Sequence, residues 1–147
     1  MPFKTSLNNT DGLTKWLNLN ANKFLDPNDK IEKVVILKNT IKNDPNASGL
    51  GISFDHKYEI QPKAIFTTSD KSGNLDLGLI EISRTPIGLK DVGILHTYAK
   101  MVEPKYALLI CENSYSKELT YLLTDPEIAP RLMQFTTTKH LKLIDIN

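Results

Sequence analysis

Neither sign of charge is in surplus in this chain: 18 Lys and Arg stand against 17 Asp and Glu, a formal net charge of +1. A chain so balanced has no global field to draw in polyanions or membrane surfaces, so any basic surface must be local. Cysteine is scarcer still. Cys111 is the sole cysteine, which excludes an intrachain disulfide framework, and its place in the apolar run YALLICEN predicts a buried, inert thiol. His56, His96 and His140 have no Cys, Asp or Glu at zinc-ligand spacing. No apolar run approaches the roughly 20 residues that span a bilayer, and MPFKTSLNNT lacks the apolar core of a secretory signal. An intracellular protein, cytoplasmic or nuclear or nucleoid, with no membrane partner is expected. The phosphate-cradling pattern GxxxxGK[ST] is missing, and Gly49-Leu50-Gly51 is too short for a dinucleotide fingerprint. Tyr106, Tyr115 and Tyr121 do not interleave with a dense basic run, which leaves a single-strand stacking platform unsupported.

What is present is enough apolar material for one core. With 147 residues and 40% hydrophobic content, the chain is expected to form a single domain over residues 1–147. Thr10-Asp11-Gly12 offers N-cap chemistry to a helix in which Leu13, Trp16, Leu17 and Phe24 share a face. A second start signal, Asp26-Pro27-Asn28-Asp29, precedes Ile31, Val34, Val35, Lys38 and Ile41, whose spacing predicts another helix that ends at Asn43-Asp44-Pro45.

From Ile52 the period changes to two. GISF and YEIQPKAIFTT read as short strands broken at Asp55-His56-Lys57, with Pro62 marking a bulge or an edge. SDKSGN then closes a hairpin into LDLGLIEIS, a strand that exposes Glu81 near its end. Beyond Thr85-Pro86, Leu89, Val92, Leu95, Tyr98, Ala99 and Val102 form one face of a helix that Glu103-Pro104 ends. YALLIC is short, continuous and apolar, as a central strand covered on both faces requires. Ser116–Leu123 and Ile128–Phe135 read as helical around a break or restart at Asp125-Pro126, and HLKLIDI as a last strand. The fold class is α/β with a mixed central sheet flanked by helices.

The run IQPKAIF, a hairpin, GLIEISRTP, GLKDVGILHTYAKMV and KYALLICEN resembles the restriction-endonuclease-like, or PD-(D/E)XK, nuclease superfamily. The resemblance implies an αβββαβαβ core over about residues 30–147, with an extra N-terminal helix ahead of it. It also implies a chemistry. A carboxylate at the second strand and another on the third hold one or two Mg2+ or Mn2+ ions, which polarise a phosphodiester and activate water. A lysine two residues after the second acid stabilises charge on the same face.

Carried over residue by residue, the motif is altered. Pro62-Lys63 matches the family's Pro-Asp, with a cation in the acid's place. Glu81-Ile82-Ser83 matches Glu-x-Lys, with the acid kept and the lysine replaced. Ile94 matches a position where many members carry Gln.

The resemblance therefore implies a nuclease-like domain acting in nucleic-acid binding or in assembly with a nucleic-acid-processing protein, with no cofactor expected. Lys63, Arg84 and Lys90 are its candidate phosphate contacts. One alternative is a divergent metal-dependent endonuclease that uses Glu81 as metal ligand, with Glu59 as displaced acid and Lys63 as replacement lysine. The bland readings are a Glu81–Lys63 cross-strand pair, and Ser83 and Thr85 as helix caps. A structural or oligomeric protein without a nucleic-acid role, with a homodimer held open, is the third reading.

Overall fold

The computed structural model describes residues 7–83, 86–112 and 115–145. In chain order the elements are α1 (Thr10–Leu19), β1 (Lys30–Ile36), β2 (Ala64–Ser69), β3 (Leu75–Ser83), α2 (Leu89–Val102), β4 (Tyr106–Cys111), α3 (Lys117–Leu123), α4 (Ile128–Met133) and β5 (Lys142–Asp145). The five strands follow the order β1-β2-β3-β4-β5 in a mixed sheet, antiparallel at β1–β2 and parallel at β4–β5. The chain divides into two compact units, residues 1–78 and 79–147, and the boundary falls inside β3.

In the first unit, α1 starts where the Asn9 side chain accepts a hydrogen bond from the Gly12 N–H at 2.8 Å, one residue before the expected cap. Its buried face is Leu13, Trp16 and Leu17, the stripe that the 3.6-residue period predicts. The helix ends at Leu19, and after a single turn at Ala21–Lys23 the buried Phe24 meets Phe66 edge-on, with ring centroids 6.0 Å apart.

The helix expected over Ile31–Ile41 is instead strand β1 with an irregular loop after it. The run Val34-Val35-Ile36 is β-branched throughout. Such side chains lose rotamer freedom in a helix and pack well on a pleated surface, and β2 supplies the partner, pairing Val34 with Phe66 and Ile36 with Ala64. The register shifts between Ile31 and Lys33, leaving Glu32 as an extra residue on β1. The Glu32 carboxylate accepts from the Ser69 hydroxyl at 2.5 Å and pairs with Lys30 at 3.4 Å.

The loop that follows is built on Asp44. Its carboxylate is 1% exposed and accepts the N–H groups of Lys38 and Asn46, each at 2.8 Å. Residues 52–55 form no strand, and His56–Tyr58 is a single 3-10 turn capped by Asp55. The strand expected from Tyr58 is confined to Ala64–Ser69, because the chain leaves that turn irregularly and Pro62 has no N–H to give a ladder. The hairpin turn holds as expected: Asp70 accepts from the Ser72 and Asn74 N–H groups at 2.8 and 3.0 Å, and Gly73 takes the left-handed backbone (φ +82°) that the reversal needs.

In the second unit, α2 packs against β4 and buries Val92, Leu95, Ala99 and Val102. It begins at Leu89, so capping falls to Asp91, whose Oδ2 accepts the Gly88 N–H at 3.0 Å, rather than to Ser83. Thr85 lies outside the described residues. Glu103 closes the helix in the left-handed conformation (φ 47°) and donates its N–H to Ala99 at 2.8 Å.

Every residue of β4 is buried, as its continuous apolar run predicts. Asp125 both ends one helical segment and starts the next, because its Oδ1 takes the Glu127 and Ile128 N–H groups at 2.8 and 3.2 Å. Among the described residues no helix is long and apolar enough to cross a membrane. The helix ahead of the three strands is α1 itself, and no additional helix precedes it among those residues.

Candidate functional site

β3 is buried from Leu77 to Ile80 and opens at Glu81, Ile82 and Ser83, which are half-buried. This is where a strand with an apolar interior hands its last polar side chains to the surface. Within the second unit these residues meet Asp91 and Ile94 of α2 and Leu109 of β4 around a cleft of about 100 Å³. Ile94 of α2 brings an apolar side chain to this cleft.

Asp91 was not singled out as a site residue by the sequence. Its carboxylate has a structural task, holding the Gly88 N–H at the start of α2, which offsets one of the helix's free donors. The signal was present in the spacing Gly88-x-x-Asp91, but reading it required the helix start to be known.

A buried acid lies near the strand end. Glu112 follows β4, is 3% exposed, and donates its N–H to the main-chain oxygen of Ser83 at 3.0 Å. It too escaped the sequence reading, since it continues an apolar run. Cys111 is fully buried, and burial pushes its thiol up to about 12. The negative charges of Asp145 and Asp91 act in the same direction, against a hydrogen bond with Tyr115. Such a thiol is protonated and inert at neutral pH.

Glu59 follows the His56–Tyr58 turn rather than sitting in a strand. Its carboxylate pairs with Lys42 at 3.6 Å, a partly exposed contact of small energetic weight. Lys63 belongs to the first unit and is exposed, with its main-chain oxygen taking the Leu37 N–H at 3.1 Å. Lys90 is exposed on the first turn of α2. Arg84 lies outside the described residues.

Chemically, the Glu81 cleft presents two carboxylates and a hydroxyl, all oxygen donors, which suit a hard cation better than a soft one. No lysine lines it. Among the described residues, no three His, Cys, Asp or Glu side chains come together in a way that could hold a metal ion. Compared with protein-family models, curated proteins and solved structures, the chain matches none.

Proposed function

We propose that this chain is a nuclease-fold domain whose altered catalytic motif has left it a role in nucleic-acid binding, or in assembling a nucleic-acid-processing complex. The order α1, three strands, α2, β4, a broken helical segment and β5 is in keeping with the αβββαβαβ core that the resemblance implies. The observation that carries the reading is the Glu81 cleft. Glu81 occupies the end of the third strand and faces the crossover helix, but Ser83 and Ile94 stand at the lysine and glutamine positions, and Asp91 is engaged at the helix start.

The test is binding of the full chain to single- and double-stranded DNA and RNA, followed by fluorescence anisotropy across a salt series. Phosphate contacts release counterions, so affinity must fall as salt rises. Absent or salt-independent binding would favour a structural or oligomeric protein without a nucleic-acid role.

A second reading is favoured by one observation: Glu81 and Asp91 line the same cleft. In a divergent metal-dependent endonuclease these two would share Mg2+ or Mn2+. Degradation of DNA or RNA that requires either ion and disappears in Glu81→Ala would establish that reading over the first.

A further inference from the structure

We propose that the cleft between the last turn of α2, α4 and the turn after α4 binds a phosphate group, carried by a nucleotide or by a nucleic-acid strand. The cleft is an open groove of about 530 Å³. Lys100 and Glu103 come from the end of α2, Arg131 from α4, and Gln134, Thr136 and Thr137 from the segment that follows. None of these residues lines the Glu81 cleft.

Charge and hydrogen-bonding capacity both select an anion. Lys100 and Arg131 are exposed, and neither forms an ion pair among the described residues. Against them stand the carboxylate of Glu103 and the partial negative charge at the C-termini of α2 and α4, so the formal +1 of the lining side chains is an upper bound on its positive charge. The guanidinium fork of an arginine matches phosphate oxygens in pairs.

Thr136 sharpens the choice. Its hydroxyl oxygen accepts the N–H groups of Thr138 at 3.3 Å and Lys139 at 3.0 Å. A hydroxyl has two acceptor positions and one donor. Both acceptor positions are filled, so what it offers a ligand is its O–H, which an acceptor-only phosphate oxygen complements.

The wall is also held in place before any ligand arrives. Phe135 is buried and donates its N–H to Lys139 at 3.0 Å, while Gln134 bridges to His140 and its main-chain oxygen receives His96 Nε2 at 2.8 Å. Ordering that precedes binding lowers the entropic cost of association.

The nucleotide arm of the test is independent of the nuclease-fold reading. Calorimetry on the full chain would use inorganic phosphate, AMP, adenosine as the uncharged control, and a short single-stranded DNA. AMP is expected to bind and adenosine to fail. Lys100→Gln and Arg131→Gln are each expected to weaken AMP roughly tenfold, while Glu103→Gln tightens it, with circular dichroism verifying that each variant is folded. If a nucleic-acid strand is the source, Arg131→Gln weakens the DNA in parallel and AMP competes with it. If a free nucleotide is the source, AMP alone responds. The proposal is overturned if no phosphate-bearing probe binds, or if neither Lys100→Gln nor Arg131→Gln weakens one.

Discussion

The ring of Phe66 on β2 lies against the α-carbon of Gly78 on β3, so closely that a β-carbon at position 78 would overlap three of its ring atoms. Phe66 cannot easily withdraw, since Phe24 meets it edge-on from another side. Gly78→Ala is therefore expected to overpack this core and cost about 1–3 kcal/mol, read as a lower urea midpoint with the far-UV spectrum retained. An unchanged midpoint would show that the ring can move aside.

Asp44 contributes to the acid limb of stability. Burial pushes its carboxyl up, but hydrogen bonds from the Lys38, Asn46, Asn39 and Ala47 main chain outweigh that effect and hold it below the ordinary carboxylate range. A depressed value stabilises the fold above the unfolded carboxyl's pKa, near 4, and this contribution is lost as pH falls through the folded value. Asp44→Asn removes one acceptor from a buried site and is expected to cost about 1–3 kcal/mol at neutral pH. Urea unfolding across an acidic pH series should show the variant losing less stability below pH ~4 than the parent.

At the opposite limb, burial pushes Cys111 and Tyr115 each up to about 12, from 9.0 and 10.0 respectively. A raised value means that the stabilisation is complete below the unfolded pKa and is lost as pH rises toward the folded one. Stability should decline between about pH 9 and 12, more shallowly in Cys111→Ala. Iodoacetamide should leave the native thiol unmodified at pH ~8 and label it at once in denaturant, because the thiolate is the reacting form.

His96 fastens α2 to the end of α4. Its Nε2 must carry the proton, because the Gln134 carbonyl 2.8 Å away can only accept. His96→Ala should cost about 1 kcal/mol and loosen the 134–140 segment. Faster amide exchange at Phe135 and Thr136, whose N–H groups bond to Lys139, would report it.

The parts of the fold legible in the sequence are those where one pattern admitted one structure. The period from Val92 to Val102 persists through enough turns to specify α2, and the uninterrupted run from Tyr106 to Cys111 could be satisfied by a strand buried on both faces. Lys30–Ile41 misled because Ile31, Val34, Val35 and Lys38 fit helical spacing while the β-branched triplet at 34–36 favours a strand. What settles it is pairing with β2, a long-range contact that local spacing does not encode.

The site divides in the same way. The opening of β3 at Glu81 could be read from the strand's end, whereas Asp91 could not be singled out, since its carboxylate acquires its task from where α2 begins. Lys100 is remote in sequence from Arg131 and Thr136 and is joined to them only by the packing of α2 against α4.

The extra residue at Glu32 has a consequence for behaviour at high concentration. β1 ends the strand order and leaves an edge on which another chain's strand could pair. Its first half carries Lys30, Glu32 and Lys33, and the register shift at Glu32 interrupts the regular spacing that a docking strand would need to match. Charge and irregularity together make this edge a poor template for edge-to-edge polymerisation.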